Sequence, residues 1–218
     1  MAGSALLLGT GVAWAVVVGP PALPAVLAWF ATLAVAGLLL PGLANQLTLS
    51  RAYLAAPALV YALAPGTLLA LAGVVVLAGA TDVADGTLAR RLGGTSRIGG
   101  ALDPVVDGVF FGALAVGLAL GQAYPGWLAV LVIVRYGLPA LVGGVLLLLG
   151  RRPKLQHTPV GQVSTTLIAV LLGGVALLRG LGQPTGLLLE VTEVMVPLAV
   201  LATFLNLYWA NRAAFDWR

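Results

Sequence analysis

The sequence predicts an all-α, polytopic membrane protein: a core of six transmembrane helices preceded by one or two extra N-terminal hydrophobic segments. Three observations carry this prediction. First, 61% of the 218 residues are hydrophobic and only 8% are charged, against about 25% charged in a soluble domain. Second, several apolar runs reach the roughly 20 residues that cross a hydrocarbon core. These runs are continuous rather than alternating, which argues against a transmembrane β-barrel. Third, Gly and Pro interrupt the runs at regular intervals, where helices must break.

Residues 5–18 and 23–40 are apolar and parted by Gly19-Pro20-Pro21. They form two short spans, or one re-entrant or interfacial segment and one span. No Lys or Arg precedes Arg51. The charged region of a signal peptide is therefore missing, and residues 4–40 are expected to be retained. Six segments follow Pro41-Gly42, near 45–64, 67–92, 99–121, 127–149, 160–181 and 187–210. The breaks between them hold Pro65-Gly66, Gly93-Gly94, Pro125-Gly126, Pro153, and Pro184 with Gly186. The chain divides into N-terminal hydrophobic segments, 1–42, and one membrane domain, 43–218.

Arg51, Arg90, Arg91, Arg97, Arg151, Arg152, Lys154, Arg212 and Arg218 all fall on one side of six alternating spans, which must then be the cytoplasm. Arg179 falls on the other side and Arg135 lies inside a span. The net charge of +4 suits loops on an anionic leaflet, and nucleic acid is not an expected partner. With no cysteine, disulfides, thiolate catalysis and Cys-ligated zinc are excluded. Tyr124, Trp127, Tyr208, Trp209 and Trp217 sit near helix ends, as an interfacial belt does.

The chain has seven acidic residues, and four of them, Asp82, Asp85, Asp103 and Asp107, flank one short turn. Ionisable groups at membrane depth are costly and mark function. Asp82, Asp85, Gly86, Ala89 and Arg90 stand at i, i+3, i+4, i+7 and i+8 on the second core helix, and Gly99, Asp103 and Asp107 at i, i+4 and i+8 on the third. Each set lies on one helix face. The short turn makes the two helices antiparallel neighbours, so the four carboxylates can converge. Such a cluster needs cations to stay ionised near low dielectric. Hard oxygen ligands select magnesium, manganese or calcium, and four Asp suit two metals. Gly86 and Gly99 leave room for a ligand at the helix surface. Arg90 can fork onto phosphate. The residues alone thus describe a metal-assisted phosphoryl-transfer site. An ion-coupled transporter is the main non-enzyme alternative, but its acids would lie near the bilayer midplane.

Residues 82–107 also resemble the CDP-alcohol phosphotransferase pattern D-x2-D-G-x2-A-R-x8-G-x3-D-x3-D at each of its eight fixed positions. Residues Asn45 to Arg51 look like the N-x-L-T-x-x-R stretch that starts the family's first core helix. The resemblance covers about residues 45–210. It is nearest in appearance to the phosphatidylglycerophosphate synthase and cardiolipin synthase branch. It implies transfer of the phosphatidyl group of CDP-diacylglycerol to an alcohol, with loss of CMP, by an α-helical dimer at a prokaryotic plasma membrane. It implies that Asp82, Asp85, Asp103 and Asp107 bind two Mg²⁺ or Mn²⁺, with Asp107 as the base. It places Gly86, Ala89, Arg90, Ser96 and Gly99 on the CDP moiety, and Leu47, Thr48, Leu49 and Ser50 along the nucleotide pocket. A G-x-x-x-G at Gly108 and Gly112 is one place where helices can approach closely.

Arg135 resembles the fourth-helix arginine of phosphatidylglycerophosphate synthases and is expected to meet an anionic acceptor. Pairing with Glu190 or Glu193 is the alternative. The stretch from Pro159 to Thr166 looks like that branch's G-K-V-K-T-T, with Gln162 and Ser164 in place of both lysines. Arg151, Arg152 and Lys154 could supply the missing charge. The expected acceptor is glycerol 3-phosphate. Phosphatidylglycerol, as in a cardiolipin synthase, is the alternative, with inositol phosphate and serine behind it. His157, the only histidine, is expected to be a polar loop residue.

Overall fold

The structure, a computed structural model, describes residues 2–40, 42–91, 97–148 and 159–212. Eight α-helices hold nearly all of them: α1 (Ala2–Val18), α2 (Leu23–Leu39), α3 (Leu43–Ala62), α4 (Leu68–Arg91), α5 (Arg97–Leu120), α6 (Gly126–Leu148), α7 (Pro159–Gly180) and α8 (Gly186–Asn211). One 3-10 turn, Pro65–Thr67, joins α3 to α4. There is no strand among the described residues. Every helix lies where the apolar runs place it, within a few residues.

The helix ends follow local chemistry. Gly19 ends α1 with φ +60, a conformation that costs glycine little, and its N–H returns to Ala15 O at 3.0 Å. Gln122 takes φ 57 after α5, and Arg179 Nη1 secures that turn by donating to Gln122 O at 2.9 Å. At the end of α3 the Thr67 hydroxyl donates to Tyr61 O at 2.7 Å. Four described stretches are long and apolar enough to cross a bilayer: Pro65–Ala84, Leu102–Leu120, Pro159–Gly180 and Gly186–Ala210. The apolar stretch of α6, Gly126–Val142, is shorter. The first half of α3 carries Asn45, Gln46, Thr48, Ser50 and Arg51.

Helices α3 to α8 close into a ring. α3 packs on α4 and α5, α4 on α7, α7 on α8, α8 on α6, and α6 on α5. The short connections α3–α4, α5–α6 and α7–α8 gather at one end, and there the interior is apolar. Leu71, Leu114, Leu118, Leu128, Val132, Leu172 and Val196 are fully buried in that half. The opposite end holds the buried polar groups Thr48, Arg51, Asp107, Arg135, Ser164 and Thr203. At a few crossings backbone meets backbone. A Cβ added at Gly117 of α5 would stand 2.7 Å from Ala62 Cβ and 2.9 Å from Leu59 O of α3.

Helices α1 and α2 form a hairpin that packs on α3. Three hydrogen bonds run along the seam: Gln46 Nε2 to Gly37 O at 2.7 Å, Trp29 Nε1 to Ala52 O at 3.1 Å, and Trp14 Nε1 to Tyr61 Oη at 2.7 Å. Leu7 and Leu33 pack with Leu49, Ala52 and Val106. The Trp14, Phe30, Tyr53 and Tyr61 rings meet edge-on or tilted.

Candidate metal and substrate site

The polar end is organised around Arg51, which is only 2% exposed. Its Nη2 lies 2.6 Å from Asp82 Oδ1 of α4. Its Nη1 lies 3.1 Å from Asp103 Oδ1 and also bonds Asp107 Oδ1, both of α5. One carboxylate oxygen from each of Asp82, Asp103 and Asp107 lies within 4.8 Å of the others. Asp107 is buried, Asp103 is intermediate and Asp82 is exposed, so the cluster opens toward Asp82. Pro104 lies between the two α5 acids and removes one helical hydrogen bond there.

The donor set fits a hard divalent cation. Three carboxylates contribute −3 and Arg51 contributes +1, leaving −2 among the described groups. A single divalent ion cancels that charge. All three ligands are carboxylate oxygens, which suit magnesium, manganese or calcium and offer nothing to a soft metal. Buried carboxylates without a counter-charge would be strongly disfavoured.

Of the residues singled out in the sequence, Asp82, Asp103 and Asp107 come together. Asp85, Gly86, Ala89 and Arg90 lie on α4, and Gly99 on α5; their side chains lie outside the described residues. Ser96, Arg151, Arg152, Lys154 and His157 also lie outside them. Leu47 to Ser50 form the second turn of α3, directly before Arg51. There Thr48 and Leu49 are buried, Leu49 packs against Leu7, Leu33 and Val106, and Ser50 Oγ donates to Leu47 O at 2.6 Å. Gly108 does make a close helix approach, but to α6: an added Cβ would stand 3.0 Å from Tyr136 Cβ, whereas nothing lies within 4 Å at Gly112.

Two findings differ from the sequence reading. The principal neighbour of both α4 and α5 is α3. The carboxylate stripes therefore converge across an intervening helix, which inserts a guanidinium between like charges. The second is Arg51 itself, which reads in sequence as a charge flanking a membrane segment. Its signal was the fixed final position of the Asn45-to-Arg51 stretch, more than two turns inside an otherwise uncharged helix.

Arg135 is buried at 5% exposure. Its Nε donates to Ser164 Oγ at 3.1 Å, and its Nη2 donates to Gly161 O at 3.0 Å and Thr165 Oγ1 at 2.8 Å. Ser164 Oγ in turn donates to Ala199 O at 3.2 Å. The guanidinium carbon stands 4.4 Å from the Tyr136 ring centroid. Glu190 and Glu193 are exposed, in the first half of α8, and do not pair with it. Neutral acceptors hold the guanidinium in place, so among the described residues its charge is not cancelled.

A family model described as CDP-alcohol phosphatidyltransferase matches residues 42–205. The chain is 35% identical over 94 residues to a putative cardiolipin synthase of Mycobacterium tuberculosis, covering 42% of this chain and 44% of that protein. It is 34% identical over 92 residues to a cardiolipin synthase (CMP-forming) of Streptomyces coelicolor, covering 42% of each. It is 36% identical over 92 residues to a probable cardiolipin synthase (CMP-forming) of Drosophila melanogaster, covering 42% of this chain and 28% of that one. The matched stretch thus spans less than half the length of these relatives. In fold, the chain resembles the crystal structure of M. tuberculosis phosphatidylinositol phosphate synthase in complex with manganese and citrate. The TM-score is 0.57 at 23% identity, covering 80% of this chain and 86% of the other. The family match takes in the ring of helices and every member of the Arg51–aspartate cluster, and leaves out the α1–α2 hairpin. The chain belongs to the CDP-alcohol phosphatidyltransferase family.

Proposed function

We propose that this protein transfers the phosphatidyl group of CDP-diacylglycerol to the hydroxyl of an alcohol and releases CMP. The convergence of Asp82, Asp103 and Asp107 on a patch of net negative charge, within the stretch that matches the family, carries this reading. Asp82, Asp85, Asp103 and Asp107 hold two Mg²⁺ or Mn²⁺, a choice supported by the manganese in the mycobacterial crystal structure. Bound there, the ions supply positive charge to the diphosphate oxygens and favour departure of CMP. Arg90 forks onto the diphosphate, with Gly86, Ala89, Ser96 and Gly99 around the CDP group and Leu47 to Ser50 along the nucleotide. Asp107, held by Arg51, orients the acceptor hydroxyl and takes its proton. The acceptor oxygen then bonds to the lipid-bearing phosphorus as the bond to CMP breaks.

Arg135 carries the acceptor's anionic group, with Arg151, Arg152 and Lys154 adding charge. Phosphatidylglycerol is favoured over glycerol 3-phosphate as acceptor. The relatives at 34–36% identity bear cardiolipin synthase names, and Gln162 and Ser164 stand where the other branch has lysines. The same proposal includes six spans, α3 to α8, with the polar end facing the cytoplasm of a prokaryote, and a homodimer.

The test is CMP release from CDP-diacylglycerol by the purified protein, with Mg²⁺ or Mn²⁺ and each of phosphatidylglycerol, glycerol 3-phosphate, inositol phosphate and serine. The lipid product is identified by mass. Metal-dependent CMP release and a cardiolipin product are expected with phosphatidylglycerol. A phosphatidylglycerophosphate product would overturn the acceptor assignment alone. Silence with every acceptor, together with cation flux in liposomes, would overturn the transfer reaction.

A further inference from the structure

We propose that Tyr136, which no sequence motif singles out, is a positioning residue for the acceptor, donating a hydrogen bond to its phosphoglycerol group between Asp107 and Arg135. The inference rests on the transfer reading and adds a contact to it. The Tyr136 hydroxyl is buried beside Thr165 and Arg135, yet makes no hydrogen bond of normal geometry to either or to any other described residue. A buried polar group left unmatched in this way is rare and calls for a partner.

The ring cannot turn to find one. It stacks on Phe111 with centroids 5.7 Å apart and planes 4° from parallel. The Arg135 guanidinium lies over the ring. Tyr136 Cβ sits close against α5, where a Cβ added at Gly108 would stand 3.0 Å from it, and Gly108 directly follows Asp107. The neighbouring hydroxyls are engaged by Arg135, each with one lone pair left over. Thr165 Oγ1 accepts from Arg135 and donates to Gly161 O at 3.0 Å. Ser164 Oγ accepts from Arg135 and donates to Ala199 O. Arg135 uses Nε and Nη2 on α7, and its Nη1 makes no hydrogen bond to a described residue. Arg135 Nη1 and Tyr136 Oη, on adjacent residues beside Asp107, thus each keep a donor outside any well-formed hydrogen bond to the described residues. A guanidinium and a phenol together suit a phosphoryl group and its ester or hydroxyl oxygens. That chemistry is shared by free glycerol 3-phosphate and by the headgroup of phosphatidylglycerol.

The alternative role for Tyr136 is packing alone, which phenylalanine would fill equally well. The experiment measures CMP release by wild type and Tyr136→Phe with CDP-diacylglycerol and Mn²⁺, varying phosphatidylglycerol in one arm and glycerol 3-phosphate in the other. Loss of the hydroxyl is expected to raise the acceptor KM about three- to tenfold. The KM for CDP-diacylglycerol, the melting temperature and the Mn²⁺-induced thermal shift should stay as in wild type. The arm in which the rise occurs identifies the source of the phosphoglycerol group. Tyr136→Leu, which also loses the stack on Phe111, should lower the melting temperature and so separates packing from hydrogen bonding. An unchanged acceptor KM in Tyr136→Phe, or an equal rise in both substrates' KM values, overturns the proposal while the transfer reading stands. A wild type that releases no CMP with either acceptor overturns both.

Discussion

Arg51 does two opposing things to the aspartate cluster. It makes three close carboxylates tolerable in a buried setting, and it reduces the negative charge a metal would meet. Replacing it with glutamine separates the effects. Arg51→Gln leaves Asp107 buried without its cation, and breaking a buried charge cluster costs about 3–5 kcal/mol. The lower end is expected here because Asp82 and Asp103 are partly exposed. The metal-free variant should therefore melt well below wild type. The same change takes the described cluster from −2 to −3, so the thermal shift on adding Mn²⁺ should be larger than in wild type. Thermal unfolding in detergent, with and without Mn²⁺, reads both quantities; equal melting temperatures without metal would refute the role given to Arg51. At this scale the acids were legible because carboxylates at i, i+3 and i+4 announce a single helix face. Arg51 was not, because its partners lie 31 to 56 positions away and nothing local marks it as buried.

Among elements, α3 is the one on which the others depend. It separates α4 from α5, presents Arg51 to both, and meets α5 through glycines at the far end. The sequence holds two G-x-x-x-G spacings along α5 and its end, at Gly108–Gly112 and Gly117–Gly121. The second forms the tight seam with α3, where a Cβ at Gly121 would collide with Ala62 O. Spacing alone could not tell them apart in a chain of 29 glycines, because the choice depends on which face of α5 the ring turns inward. Gly117→Val should therefore push α5 off α3 and cost about 1–3 kcal/mol, as overpacking does where no flexible side chain can yield. Gly112→Ala meets open space and should hold or slightly raise stability through better helix propensity. Melting temperatures of the two variants in the same detergent check the contrast; similar losses would mean that the α3–α5 seam is not backbone-tight. Helix positions were readable because Gly and Pro mark most breaks between the apolar runs, although Pro57, Pro104, Pro139 and Pro197 lie inside helices. The order of helices around the ring was not, since apolar faces in a membrane carry little record of their neighbours.

For the molecule as a whole, the feature that sets this chain apart from its family match is the hairpin of α1 and α2, which lies before residue 42. Its apolar character was plain in the sequence, but its docking site was not. Docking depends on dispersed groups: glycines that admit Gln46, two indoles that donate to α3, and a few aliphatic side chains. The hairpin reaches the active end, because Leu7 and Leu33 pack on Leu49 and Val106, neighbours in sequence of Thr48 and Asp107. Trp29 also donates to Ala52 O, one residue after Arg51. If the hairpin braces α3, loosening it should be felt at the chemistry without altering what is bound. Gly37→Leu is the sharpest lever. A Cβ there would stand 2.6 Å from Ser4 Oγ and 3.2 Å from the Gln46 amide, and the larger side chain must part α2 from both. A cost of about 1–3 kcal/mol corresponds to a fall of about 2–10 °C in melting temperature for a chain of this size. Turnover should drop with it, by about two- to tenfold if Arg51 shifts by a fraction of an ångström, while the KM values and the lipid product remain those of wild type. A variant that melts earlier but turns over at the wild-type rate would reduce the hairpin to a membrane anchor. A variant with altered acceptor KM would instead mean that the hairpin lines the acceptor path, on the opposite side of α5 from Tyr136.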